Sequence, residues 1–221
     1  NKILIIVAHT DDETLGVGGT LLKHKNAGDK IYAISMTDGF SSRKSSTDKK
    51  INQRKKAAEK AGKLLGIEWI DFGDFPDNAM DSIPLFEIIK FIEDVKNRIN
   101  PNLIYTHSYS DLNIDHRIVN QATLTAFRPK ADQSWTEIRA FEVPSATDYG
   151  HKSLGCFNPN LYINIQESIR TKIKSFSYYK DEILSSPNSR SLHMIKVLAE
   201  YRGSQVGLNY AEAFEVLRKI E

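Results

Sequence analysis

The sequence lacks the features that fix a protein's class by composition alone. Cys156 is its only cysteine, so there is no intramolecular disulfide framework and a reducing compartment is expected. The longest clear apolar run, residues 3–8, is far shorter than the about 20 residues of a membrane-spanning helix. An excess of one charge is also missing, since 30 Lys and Arg face 28 Asp and Glu. These absences, with no signal-peptide pattern, predict a cytoplasmic protein without nucleic-acid or membrane partners.

What the sequence does have is a regular alternation of strand and helix patterns. The predicted strands are residues 2–8, 30–36, 68–72, 101–106 and 138–143. The predicted helices between them are residues 15–25, 45–65, 85–98 and 113–127. This alternation is typical of an α/β protein with a parallel sheet covered on both faces. Because the helices that connect parallel strands cross over in a right-handed sense, the expected architecture is a Rossmann-like three-layer sandwich.

The pattern changes after Pro159. An apolar stripe at helical spacing runs through residues 165–183, and residues 191–201 and 210–218 are predicted as two further helices. We therefore expect one domain over residues 1–221. Its core sheet takes residues 1–158, and a helical C-terminal section takes residues 159–221. No sequence feature fixes an oligomeric state.

Polar clusters follow four of the predicted strands, at residues 9–13, 37–39, 75–78 and 107–116. Because ligands bind at the carboxyl ends of parallel strands, these four loops are expected to converge on one site.

The first cluster is rich in metal-binding side chains. His9, Asp11, Asp12 and Glu13 follow the first strand. Neighbouring carboxylates repel each other unless a cation lies between them. The alternative is a helix cap, in which the acidic residues complement the dipole of the next helix. Capping explains neither His9 nor the doubled carboxylate.

The second cluster holds His107, Asp111, Asn113, Asp115 and His116 after the fourth strand. Taken alone, it could be a polar loop in which Asp115 caps a helix. Taken with the first cluster, it completes a set of ligands.

The candidate metal ligands are His9, Asp12 and His116. Zinc hydrolases commonly use three such ligands and leave a fourth position for water. Iron or manganese tolerates the same donors, so zinc is the expected metal with these two as alternatives. Asp11 is the spare carboxylate that could act as general base, and Asp115 could orient a ligand.

These motifs resemble those of a known family. Residues 9–13 (His-Thr-Asp-Asp-Glu) with Asp115-His116 are similar to the PIG-L/LmbE family of zinc-dependent N-deacetylases. The segments 37–39, 75–78, 111–117 and 201–205 are similar to a bacterial branch of it. The resemblance implies the Rossmann-like fold, His9, Asp12 and His116 as metal ligands, and Asp11 as general base. It also implies that Arg54, Asp77 and Asn78 bind substrate.

Two positions depart from the family pattern. Thr10 stands where the family usually has proline, a change expected to affect the rigidity of the loop rather than the chemistry. Asn113 stands where many members have a histidine that stabilises the oxyanion or donates a proton. Asn113 can donate a hydrogen bond but not a proton, so His107 or Asp11 itself is the candidate general acid.

The expected function is metal-dependent removal of an N-acetyl or similar N-acyl group from an amino-sugar conjugate. One alternative is hydrolysis of another amide, such as an N-formyl sugar or a small peptide-like substrate, by the same metal chemistry. A second is a non-enzymatic receiver domain of signalling, which also places an acidic pair after the first strand. In a receiver domain, His9, Asp115 and His116 would have no function.

Overall fold

The computed structural model describes residues 1–39, 42 and 47–221. Its seven strands are β1 (Lys2–Val7), β2 (Lys30–Thr37), β3 (Ile67–Phe75), β4 (Leu103–His107), β5 (Glu137–Phe141), β6 (Leu161–Asn164) and β7 (Ala211–Lys219). Its six α-helices are α1 (Asp12–Asn26), α2 (Asp48–Leu65), α3 (Leu85–Ile99), α4 (Ile114–Ala126), α5 (Ile169–Phe176) and α6 (Leu192–Ser204). Within these described residues, no helix combines the length and the apolar character that crossing a membrane requires.

The strands form one sheet in the order β3-β2-β1-β4-β5-β7-β6. The first five are parallel, whereas β7 runs antiparallel to both β5 and β6. The expected α/β class and mostly parallel sheet are therefore confirmed.

Side chains of the central strand β1 alternate between two apolar layers. Ile3 and Ile5 belong to the core that α1 and α2 cover, and Leu4 and Ile6 to the core that α3 and α4 cover. A strand buried on both faces needs apolar side chains at every position, which explains the unbroken run in the sequence. The two helical layers and the sheet make the three-layer sandwich.

The predicted helix over residues 210–218 is wrong, because this segment is the strand β7. Ala, Glu, Leu and Arg favour helices, and they suggested one here. Pairing with β5 and β6 on both sides overrides that preference, and the first four residues of β7 are buried. The section after residue 159 therefore contributes helices and two strands of the sheet.

Apart from the stripe at residues 165–183, the other predicted elements exist, with ends that differ by a few residues. Within that stripe, Ile169–Phe176 forms an α-helix and Lys180–Glu182 a short 3-10 helix. The helix predicted to begin at Ser45 is observed from Asp48, and Ser45 itself lies outside the described residues.

Candidate metal centre

The candidate site lies where the loops after β1 and β4 meet, at the carboxyl edge of the sheet. β1 pairs with β2 on one side and with β4 on the other, so the strand order reverses at this point. In open α/β sheets, such a reversal opens the crevice in which ligands bind. The two polar clusters of the sequence follow these two strands.

Three side chains place one donor atom each at the corners of a small triangle. His9 Nδ1 lies 3.2 Å from His116 Nε2 and 3.4 Å from Asp12 Oδ2. His116 Nε2 lies 3.4 Å from the same oxygen of Asp12. Donor atoms bound to one tetrahedral zinc ion at about 2.0–2.2 Å are roughly 3.3–3.6 Å apart. The triangle therefore fits a metal ion, and all three residues are buried.

Both histidines bind a carboxylate through their other ring nitrogen. Asp115 Oδ2 lies 3.0 Å from His9 Nε2, and Asp111 Oδ2 lies 2.7 Å from His116 Nδ1. Asp115 is itself held by two backbone N–H groups of residues 78 and 80. Such outer carboxylates fix the tautomer of a metal-binding histidine and direct its free nitrogen to the ion.

The protonation behaviour of these side chains reflects crowded carboxylates in a buried space. Burial lowers the pKa of His9, but hydrogen bonds to Asp115 and Asp12 outweigh it and raise the pKa to about 9. Burial also opposes the charge of His116, yet Asp12 and Asp111 raise its pKa to about 10. Burial raises the pKa of Asp12, and the two histidines hold it well below its ordinary value. The site thus favours positive charge, which a divalent cation supplies.

Asp11 has an unusual backbone conformation. Its φ is 115°, in a region that residues with a side chain rarely adopt. Its N–H donates to Glu13 Oε2 over 2.8 Å, and its carbonyl accepts the N–H groups of Thr14 and Leu15 at the start of α1. These bonds fix the turn that separates Asp11 from Asp12.

The carboxylate of Asp11 is fully buried between two arginines. Arg54 Nη2 lies 3.0 Å from Oδ1, and Arg190 Nη2 donates to Oδ2. Burial raises the pKa of Asp11 and the two guanidinium groups lower it, which leaves it at about 6. Arg54, expected at the substrate, is thus engaged with the candidate base.

His107 lies beneath the triangle, at the end of β4. Its ring stacks on that of His116 with 3.9 Å between centroids, and its Nε2 accepts the N–H of Ala8 over 2.9 Å. Burial and the charge of His116 hold the pKa of His107 well below its ordinary value, so the ring is neutral. It is completely enclosed by protein.

The loop after β3 meets the two metal loops. Asp77 is buried, with Oδ1 3.3 Å from His9 Nε2. Asn78 is exposed and accepts a hydrogen bond of 2.9 Å from Asn113 Nδ2. Asn113 also caps α4 by accepting the N–H of Asp115 over 2.8 Å. The two amides therefore form part of the rim.

Three residues of the site were missed from the sequence. Arg190 contacts Asp11, the Thr147 hydroxyl donates to Asp111, and the Tyr179 hydroxyl donates to Glu13. Arg190 is 179 positions from its partner and lies in a Ser- and Asn-containing loop without periodicity. No local signal marks it, since only the folding of the chain brings the loop before α6 to the site.

Comparisons with known proteins identify the family of the chain. The model of the family described as PIG-L, GlcNAc-PI de-N-acetylase, matches residues 4–127. The chain is 33% identical over 148 residues to YaiS of Escherichia coli K12, named an uncharacterized deacetylase, and this covers 65% of the chain and 74% of YaiS.

Solved structures share the fold over nearly the whole chain. The N,N'-diacetylchitobiose deacetylase of Pyrococcus horikoshii is similar with a TM-score of 0.79 and 20% identity, over 98% of this chain and 84% of that one. GalB of Pseudomonas putida KT2440, a 4-carboxy-2-hydroxymuconate hydratase, is similar with a TM-score of 0.80 and 18% identity. The match covers 100% of this chain and 98% of GalB. At these identities the likeness shows the fold alone.

Proposed function

The chain belongs to the PIG-L family, described as GlcNAc-PI de-N-acetylases, and we propose that it is a metal-dependent hydrolase that removes an N-acetyl or similar N-acyl group from an amino-sugar conjugate. The observation that supports this most directly is the buried triangle of donor atoms beside an additional carboxylate. One carboxylate and two imidazoles can hold a metal, while Asp11 is a further carboxylate outside the triangle, paired with Arg54 and Arg190.

We assign the metal to His9, Asp12 and His116, with zinc as the expected ion and iron or manganese as alternatives. When bound, the ion would polarise the amide carbonyl and make a water molecule acidic enough to attack near neutral pH. Binding of a cation requires neutral imidazoles. In that form, the contacts with Asp115 and Asp111 direct the N–H of His9 to Nε2 and the N–H of His116 to Nδ1, which leaves His9 Nδ1 and His116 Nε2 for the ion.

We assign both proton transfers to Asp11. Its carboxylate takes the proton of the attacking water and returns it to the nitrogen of the leaving amine. Nε2 of His107, the other candidate acid, accepts the N–H of Ala8, and its ring stacks on His116, so we assign it to packing beneath His116.

We place the sugar at the rim formed by Asn78 and Asn113. Both amides can donate hydrogen bonds to hydroxyl or carbonyl oxygens, and Asn113 is the nearer to the ligand His116 along α4. We assign Asp77 to holding the loop of Asn78 in place. Its buried carboxylate lies against His9 and accepts the N–H of Ser42.

The test is release of free amine from a panel of N-acetyl, N-formyl and peptide amides by the zinc-loaded protein. We expect N-acetylated amino sugars to be cleaved, and Asp11→Asn to lower kcat by about 10²- to 10⁴-fold, because a positioned base contributes that much. Asp132→Asn, which changes an exposed acid in the same way, is the control. Equal activity of Asp11→Asn at full metal content would remove Asp11 from the mechanism.

A hydratase neighbour with the same fold defines the competing outcome. Activated water can add to a carbon–carbon double bond as well as to an amide carbonyl. Absence of amine release from every N-acyl substrate, with consumption of an unsaturated carboxylic acid, would assign the site to hydration instead.

A further inference from the structure

We propose that Thr10 is a positioning residue, which acts through Arg54 to hold the Asp11 carboxylate in place for proton transfer. The proposal rests on the proposed function of Asp11 as base. It starts from one contact: Arg54 Nε donates to Thr10 Oγ1 over 2.9 Å. A proline at position 10 could not accept this bond, so the departure from the family pattern changes the surroundings of the base and not only the rigidity of the loop.

The Arg54 guanidinium is held on several sides by protein groups. Besides the Thr10 hydroxyl, Nη2 donates to the Thr10 carbonyl and to Asp11 Oδ1, and Nη1 donates to Glu182. The side chain is only 8% exposed. With these donors engaged and the group buried, Arg54 faces the base and not a ligand in the crevice.

Gly39 provides the space that this orientation requires. It has a φ of 65°, and a Cβ atom added there would lie 2.6 Å from Arg54 Nε. Any larger residue at position 39, two residues after β2, would push the guanidinium away from Thr10. The polar loop after β2 therefore serves the site by leaving room for Arg54.

Asp11 combines a strained backbone with a side chain that two arginines hold. A non-glycine residue in this conformation costs about 1–3 kcal/mol and persists only where its surroundings enforce it. The Arg54 and Arg190 contacts occupy one carboxylate oxygen each, while Asp12 faces the two histidines. The arginines thus keep Asp11 out of the metal triangle, and Thr10 sets the position of one of them.

The first experiment compares Thr10→Val with Thr10→Ser, using kcat and KM for amine release, zinc content and thermal unfolding. Removing the hydroxyl leaves the buried Arg54 Nε without its acceptor, so we expect kcat to fall about tenfold in Thr10→Val, as loss of one hydrogen bond to a charged group implies. KM and zinc content are expected to stay at wild-type values, and Thr10→Ser to restore kcat. Thr125→Val is the control, because that hydroxyl bonds only within its own helix.

The second experiment needs no activity. Phenylglyoxal labels accessible arginines, and peptide mapping reports its reaction at residue 54. Arg54 is expected to be protected in wild type and Thr10→Ser, and to react faster in Thr10→Val and in Gly39→Ala. Gly155→Ala is the matched control, since Gly155 also has a positive φ, of 82°, but no atom of the described residues lies within 4 Å of the added Cβ.

An unchanged kcat in Thr10→Val, or a rise in KM alone, would overturn the proposal, because Arg54 would then not act through Asp11. Equal protection of Arg54 in Thr10→Val and wild type would overturn it as well. Failure of the wild type to release amine from any N-acyl sugar would contradict the proposed function, and the labelling would still decide whether Thr10 fixes Arg54.

Discussion

At the scale of single residues, the buried carboxylates of the site have different sets of neighbours, and these decide what each carboxylate can do. Asp12 lies within 3.5 Å of three imidazoles, those of His9, His107 and His116. Asp115 contacts His9, and the shortest contact of Asp111 is with His116. Asp11 instead faces two guanidinium groups. The density of His and Asp in the two loops was visible in the sequence. Which carboxylate meets which partner depends on distances between residues about 100 positions apart in the chain, as the separation of His9 from Asp115 shows.

A substitution of Asp115 tests the outer carboxylates at this scale. Asp115→Asn keeps an acceptor for a backbone N–H, but its amide weakens the bond that fixes the tautomer of His9. We expect the affinity for zinc to fall about 10- to 100-fold, as is typical of outer partners of metal ligands. Competition with a chromophoric chelator measures this, and Asp132→Asn is the control. An unchanged affinity would mean that His9 is held by other contacts.

At the scale of elements, a buried ion pair joins α1, α5 and β7. Glu212 on β7 accepts the N–H groups of Gly19 and Thr20 in α1, and its Oε1 lies 2.6 Å from Lys172 Nζ on α5. Glu212 and Lys172 are almost completely buried. Sequence patterns assigned residues 210–218 to a helix, in which Glu212 would have had no such partners. Only the pairing of β7 with the sheet brings Glu212 to α1.

The ion pair predicts a large effect of one lysine. Lys172→Met leaves the carboxylate of Glu212 buried without its cation, which costs about 3–5 kcal/mol. Lys174→Met on the same helix changes an exposed lysine, so we expect it to shift the free energy of unfolding by less than about 0.5 kcal/mol. Denaturant unfolding of the two variants compares these values. Similar stabilities would show that Lys172 contributes no more than a surface charge.

At the scale of the whole molecule, one sheet runs through both predicted sections of the chain. β7 lies between β5 from the first section and β6 from the second, and Arg190 from the second section reaches Asp11 in the first. We therefore propose that residues 1–221 unfold as a single domain, in which the C-terminal section completes both the sheet and the surroundings of the base.

Deletion of residues 211–221 tests this proposal. Without β7, both β5 and β6 lose a paired edge, and Lys172 loses Glu212. We expect the wild type to unfold in one cooperative transition by calorimetry and by circular dichroism. The shortened chain is expected to show no such transition, whereas deletion of residues 220–221 alone keeps it. A native-like transition in the shortened chain would make the C-terminal section a separate unit.

The sequence by itself determined the α/β class, the central buried strand and the two loops that hold His9, Asp12 and His116. These are local properties, because apolar runs, helical periodicity and the density of ligand-type side chains are readable within short windows. Only the tertiary structure decided that residues 211–219 form a strand, that Arg54 faces Asp11, and that Arg190 joins it. Those outcomes depend on pairing and packing between distant segments, and such interactions outweigh the weak preferences of the residues themselves.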